Sequence, residues 1–182
     1  MNYLRGFLPW LVFAVVSSFD WRWAALIALV LSAGLLVTDR RAGVKLDAQI
    51  LDIGSIVFFV VLTVVAFAYP HSVLQQYDNS VSGGWLALIA WFTLAVRKPF
   101  TTGFARRQTP PEVWETPGFK HTNTVLTLGW TIALTFNAVC AFIGDALNTP
   151  MLFNVAYLIV GYGSAIWFTR TYVAKVRAAA TR

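Results

Sequence analysis

Few side chains in this sequence could do chemistry, and most of them fall in one stretch, RKPFTTGFARRQTPPEVWETPGFKHTN, from Arg97 to Asn123. Its cations Arg97, Lys98, Arg106 and Arg107 alternate with the rings of Phe100, Phe104, Trp114 and Phe119. Guanidinium groups grip phosphates as forks, and aromatic rings settle at the membrane–water boundary, so the mixture suits a lipid headgroup or an anionic partner. The plainer alternative is that the cations only set topology and the rings only mark the boundary. Asp52 stands apart, just inside an apolar run where a lone carboxylate is costly. Arg170, Arg97 or Lys98 could neutralise it from neighbouring helix ends, which leaves either an interfacial ion pair or a ligand for a coupling ion or substrate. Thr127, Thr131 and Thr135, spaced i, i+4, i+8, share one helix face, with Asn137 and Asn154 as further polar groups in the same two runs. Such a stripe either lines a polar path or packs with its hydroxyls bonded to its own helix carbonyls.

Nothing here reads as an enzyme. There is no H-E-x-x-H, no G-x-S-x-G and no phosphate-binding glycine loop, and the spacing of Asp52, Glu112, Glu115 and His121 suggests no acid–base pair. One cysteine (Cys140) and two histidines (His71, His121) leave little for a metal or haem, so no cofactor is expected. No ionisable residue falls at the centre of an apolar run, which argues against a proton relay. Val160-Gly161-Tyr162-Gly163 resembles a potassium-channel filter, but it lies within a continuous apolar run, where Gly161 and Ala165 fit a small-xxx-small helix contact.

The elements that must position these residues are membrane helices. Of 182 residues, 58% are hydrophobic and only 12% charged, about half the charged share of a soluble domain. The apolar residues fall in blocks, which predicts an all-α integral membrane bundle of about six spans in a single domain, 1–182. The first run ends near Phe19; the second covers Ala24 to Thr38 after a turn at Phe19–Trp23. Both are short of the ~20 residues a span needs and either cross as a thin hairpin or enter partly. The third covers Ile50 to Tyr69 and is stopped by Pro70; the fourth, Trp85 to Val96, is again short. The fifth covers Thr124 to Gly144 and the sixth Met151 to Phe168, before a basic tail. With both termini on one side, every Lys and Arg except Arg22 lies on that side, including Arg5, Lys45 and Arg182, and the positive-inside rule makes it the cytoplasm. Topology and anionic lipid thus account for the net charge of +6, and nucleic acid is not needed. Trp23-Ala24-Ala25-Leu26-Ile27-Ala28 also resembles Trp85-Leu86-Ala87-Leu88-Ile89-Ala90, which would make runs 2–3 and 4–5 two copies of one hairpin.

Within the 97–123 loop, Pro99 ends the fourth run. A turn or two of helix would then press Phe100 and Phe104 into the headgroup layer and aim Arg106 and Arg107 at phosphates. Thr109-Pro110-Pro111-Glu112 has the form of a capping box and predicts a short helix over Pro110–Glu115, ended by Pro117-Gly118, with Trp114 and Phe119 as anchors and Thr122 or Asn123 capping the fifth run.

The series Arg97-Lys98-Pro99-Phe100-Thr101, Ala105-Arg106, Pro110-Pro111-Glu112-Val113-Trp114, Pro117, Phe119, Asn123 resembles a signature of small, uncharacterised bacterial multi-pass membrane proteins, (K/R)PFT…AR…PPExW…PxF…N. In size and hydropathy the chain also resembles the intracellular septation protein A group. These likenesses imply a bacterial inner-membrane protein linked to the cell envelope. The leading expectation is a non-enzymatic protein that engages membrane lipids or envelope partners through the loop, with membrane-protein partners or a homo-oligomer as further company. A small-solute transporter or channel, oligomeric, is the alternative, and a lipid enzyme comes third. If the loop is only a tether, a flexible Gly/Ser insertion at Thr109 leaves the melting temperature and function unchanged; a folded loop loses stability on the same insertion.

Overall fold

The structure, a computed structural model, describes residues 3–43 and 49–180. Lys45, Asp47 and Arg182 lie outside the described residues, as does the side chain of Arg5. The described residues form helices without strands, in the order α1 (Tyr3–Val16), α2 (Trp21–Arg41), α3 (Ile50–Ala68), α4 (Asp78–Ala95), α5 (Thr101–Arg106), α6 (Pro117–Leu147) and α7 (Met151–Ala180), with single 3₁₀ turns at Val73–Gln75 and Pro111–Val113. Helices keep every main-chain hydrogen bond within one segment, the condition for burying backbone in hydrocarbon.

Contacts fix the direction of each helix. Trp10 and Phe13 of α1 meet Ser55 and Phe59 of α3, so these two are parallel. Trp21 at the start of α2 donates its indole N–H to Pro70 O, just past the end of α3 (3.2 Å), so α2 and α3 are antiparallel. Ser80 near the start of α4 bonds Asp145 near the end of α6, while Thr101, just past α4, reaches Asn123 near the start of α6. On α7, Asn154, Gly161 and Phe168 lie against Gly144, Asn137 and Gly129 of α6, again antiparallel. The described residues thus form a bundle of six long helices alternating in direction, with the start of α1, the end of α2, the start of α3, the 97–116 segment and the end of α7 at one end. The turns at 17–20, 69–77 and 148–150 lie at the other.

Among the described residues, four helices are long and apolar enough to cross a membrane: α2, α3, α6 and α7. The second run is therefore not short. Trp21 and Trp23 belong to α2 and not to a turn, because Asp20 caps the helix by accepting from Arg22 N (2.9 Å). The Arg22 guanidinium also grips this carboxylate at 2.7 Å and holds it down at about 2. Helix α1, at 14 residues, measures about 21 Å, below the ~30 Å of a hydrocarbon layer. Helix α4 starts at Asp78 and not at Trp85, and its first turns carry Asp78, Asn79, Ser80 and Ser82. It packs between α3 and α6, so these polar groups are sheltered: Asp78, Ser80 and Ser82 are buried, and Asp145 accepts from the Ser80 N–H (3.1 Å) and hydroxyl. The long charged tail forms the last turns of α7, and α6 begins seven residues before the predicted run, at Pro117.

Side-chain packing is dense where helices meet. Trp10, Phe13, Phe58, Phe59 and Trp85 form a ring cluster between α1, α3 and α4, with centroids 4.8–5.8 Å apart, and Trp10 Nε1 donates to Ser55 Oγ (2.9 Å). The potassium-filter likeness at 160–163 dissolves into continuous helix, and Gly161 serves packing as its spacing suggested. A Cβ there would sit 1.9 Å from Asn137 Oδ1. Gly161→Ala should therefore destabilise the α6–α7 pair by about 2 kcal/mol. Adding Asn137→Ala should recover most of it, read from thermal melts of the purified protein in detergent; a wild-type melt for the single variant would rule out the close approach.

Candidate functional site

The chain leaves α4 through a hydrogen-bonded turn. Arg97 N–H donates to Leu94 O (3.0 Å) and Lys98 N–H to Thr93 O (2.9 Å), the paired bonds of a Schellman cap. The residue in the left-handed position is Arg97, with φ 55. Glycine normally fills this position, and a side chain there costs about 1 kcal/mol. Helix α6 ends in the same conformation at Asn148 (φ 48), a residue type that tolerates it.

Thr101 then fastens α5 to the side of α6. Its hydroxyl donates to Asn123 O (2.9 Å) and lies 2.8 Å from Thr127 Oγ1, and all three residues are buried. At 31 residues, α6 is about 46 Å long, so it extends well beyond the end of α4 and offers α5 a surface to lie on. Past α5, the Thr109 hydroxyl donates to Ala105 O (2.9 Å), and Trp114 Nε1 donates to Thr109 O (3.1 Å). These bonds bring the Trp114 ring under the Arg106 guanidinium, 5.3 Å from its centroid, a cation–π contact. Glu115 lies 2.7 Å from Lys120 Nζ and 4.0 Å from Arg106.

Together these segments enclose a groove of about 480 Å³. Arg97, Lys98, Arg106 and Lys120 give it four cations; Thr102 and Thr124 add hydroxyls; Leu94, Pro99, Trp114 and Phe119 form its apolar walls. Such a volume falls within the range of small-ligand sites. Its chemistry is that of an anion receptor: planar and point cations, two hydroxyls and an aromatic wall, with no nucleophile–base pair among the lining residues.

Of the loop residues singled out from sequence, Arg97, Lys98, Arg106, Trp114 and Phe119 meet in this groove. Phe100, Phe104 and Arg107 do not. Phe100 is buried and Phe104 packs edge-on against it, facing Gly6 of α1, so the rings join the bundle core and not a headgroup layer. Arg107 is directed at a carboxylate and not a phosphate, with Nη2 2.7 Å from Asp39 Oδ2. Asp52 lines the same small cavity as Asp39, Arg107 and Phe104; Arg170, Arg97 and Lys98 do not line it. The capping box at Thr109 does not form. Pro111–Val113 makes one 3₁₀ turn, and Thr116 caps α6 by accepting from Phe119 N (3.3 Å), with Pro117 as its first residue. Pro117-Gly118 therefore starts a helix instead of ending one, and Asn123 lies inside α6, where its Nδ2 donates to Phe119 O (2.8 Å).

Thr127 and Thr131 are fully buried. Thr131 and Thr135 donate to the carbonyls four residues earlier (2.7 and 2.8 Å), and Thr135 also accepts from Trp91 Nε1 (3.1 Å). The stripe faces α4 and α5, and neither cavity described above is lined by it or by Asn154, which lies against Gly144. Sequence reasoning passed over Thr101, Thr102, Lys120 and Asp39 as site residues. Thr101 and Thr102 directly follow the Pro-Phe stop, and Asp39 falls between the second and third apolar runs.

Comparison with known protein families, curated proteins and solved structures finds no match to this chain. The Arg107–Asp39 pair is the main charged tie between α5 and the α2 end. The Asp39 side chain is 10% exposed and Arg107 22%. Arg107→Ala should thus cost about 2–3 kcal/mol, below the full penalty for a buried pair because some solvent reaches Arg107. A double-mutant cycle with Asp39→Asn on thermal melts should show strong coupling; additive losses would show that the two side chains do not interact.

Proposed function

We propose that this is a non-enzymatic, multi-pass protein of the bacterial inner membrane that engages anionic lipid through the groove of its 97–123 loop. The observation that carries the reading is the groove itself, with four cations and two aromatic rings at one end of an apolar bundle. That end coincides with the end of α4, where the apolar run gives way to Arg97 and Lys98, the depth of lipid phosphates for a helix crossing the bilayer.

All six long helices cross in this reading. Helix α1 is shielded by α2 and α3, and α4 by α3 and α6, so their shortness and polar first turns are tolerated inside a protein environment. Arg40, Arg41, Arg97, Lys98, Arg106, Arg107, Lys120, Arg170, Lys175 and Arg177 belong to the groove end, and Arg22 to the other. The positive-inside rule then assigns the groove and both termini to the cytoplasm. Bacterial origin and the envelope link rest on the loop signature and on the likeness to the septation protein A group. For transport, the threonine stripe would have to open onto water, and its hydroxyls are instead spent on helix carbonyls and on Trp91.

Lipid binding is tested by native mass spectrometry of the detergent-purified protein titrated with anionic and zwitterionic lipids. The wild type should retain anionic lipid selectively. Arg106→Gln with Lys120→Gln should weaken that retention about tenfold or more, as loss of charge-assisted bonds requires, without lowering the melting temperature comparably. Equal retention of zwitterionic lipid, or no effect of the double substitution, would end the proposal.

A further inference from the structure

The geometry points to a phosphomonoester lipid as the groove's occupant: a terminal, dianionic phosphate on a hydrocarbon chain. This rests on the lipid-binding reading above and names the headgroup.

Charge balance argues for the dianion. Glu115 is held between Lys120 and Arg106, whereas Arg97 and Lys98 have no ion-pair partner among the described residues. Arg97 and Lys98 thus leave a charge of about +2 that a diester, with one negative charge, only half offsets. A phosphomonoester carries roughly −1.5 to −2 at pH 7 and presents three acceptor oxygens. Arg97, Lys98, Arg106 and the Thr102 hydroxyl, drawn from the α4 cap and from α5, can meet those oxygens from several sides.

The walls argue for a chain on that phosphate. On α6, Lys120 and Thr124 line the groove, and the next residues at four-residue spacing, Leu128 and Ile132, are exposed apolar side chains. On α4, Leu94 lines the groove, and the exposed Trp91, one turn earlier on the same face, continues toward the bilayer interior. The cationic lining thus runs into an apolar surface at the depth of the acyl region, as an amphiphile requires and a free phosphate ion does not.

The backbone supplies an independent sign. Arg97 occupies the left-handed position of the α4 cap, where glycine would be unstrained. Local strain of this kind marks places where a side chain is kept for function at the expense of stability.

The test uses the full chain in detergent micelles, with native mass spectrometry of phosphatidate, phosphatidylglycerol and inorganic phosphate in competition. At pH 8 phosphatidate should bind about tenfold tighter than phosphatidylglycerol. That preference should fade as pH falls below about 6, where the monoester takes up its second proton and becomes a monoanion. Inorganic phosphate at matched concentration should not displace the lipid. Arg97→Gly should weaken phosphatidate binding about tenfold while raising the melting temperature by about 2–4 °C; Lys98→Gln should weaken binding without that rise. Equal affinity for the two lipids would overturn the phosphomonoester assignment and leave anionic-lipid binding intact, whereas retention of neither would overturn both. Displacement by inorganic phosphate would make the ligand the free ion. Wild-type binding by Arg97→Gly, or a lower melting temperature, would remove the strained residue from the argument.

Discussion

The junction of Thr101, Asn123 and Thr127 is the contact on which the architecture of the groove end depends. A buried hydroxyl must find acceptors, and Thr101 finds them on the flank of α6. That single tie converts the chain between α4 and α6 from a free connector into a layer laid along the extended part of α6. Once α5 is seated, Arg107 reaches Asp39, the Phe100 and Phe104 rings close the end of the core, and Arg106 is left facing Trp114. The groove is the space between this layer and the cap of α4.

The same rule governs the bundle. Many of the serines, threonines and tryptophans within the helices are satisfied locally: Ser32, Ser55, Thr93 and Thr169 donate to carbonyls of their own helices, and Trp85, Trp91 and Trp130 donate to Gly54, Thr135 and Thr169 on neighbouring ones. Without a strong hydrophobic drive between helices in lipid, close packing and such bonds hold them together. Small residues make the approach possible, as where Gly161 receives the Asn137 side chain and Ala24, Ala25 and Ala28 of α2 are fully buried. The threonines of α6 belong to this scheme, and their spacing reflects a packing face.

The errors of the sequence reading share a physical origin. Hydropathy marks the apolar part of a helix and is silent on the polar turns that continue it, so α2, α4, α6 and α7 were all read too short. Thr109-Pro110-Pro111-Glu112 and Thr116-Pro117 carry the same local start signal, and the long apolar run that follows makes the second one the true start of α6. The aromatic residues of the loop looked alike in sequence. Phe100 and Phe104 became core while Trp114 and Phe119 became groove wall, a division set by which side of α5 met the bundle.

By itself the sequence determined an all-helical membrane protein, the clustering of positive charge toward one set of loops, and the concentration of binding-competent side chains between Arg97 and Asn123. Composition, block length and charge placement suffice for these because the bilayer imposes them on any chain. Which cations line the groove was decided only by the tertiary structure. Arg107 and Arg106 are neighbours in sequence, yet one is spent on Asp39 and the other lines a groove with Lys120 and the strained Arg97. A carboxylate from a distant helix made that choice, and no local pattern encodes it.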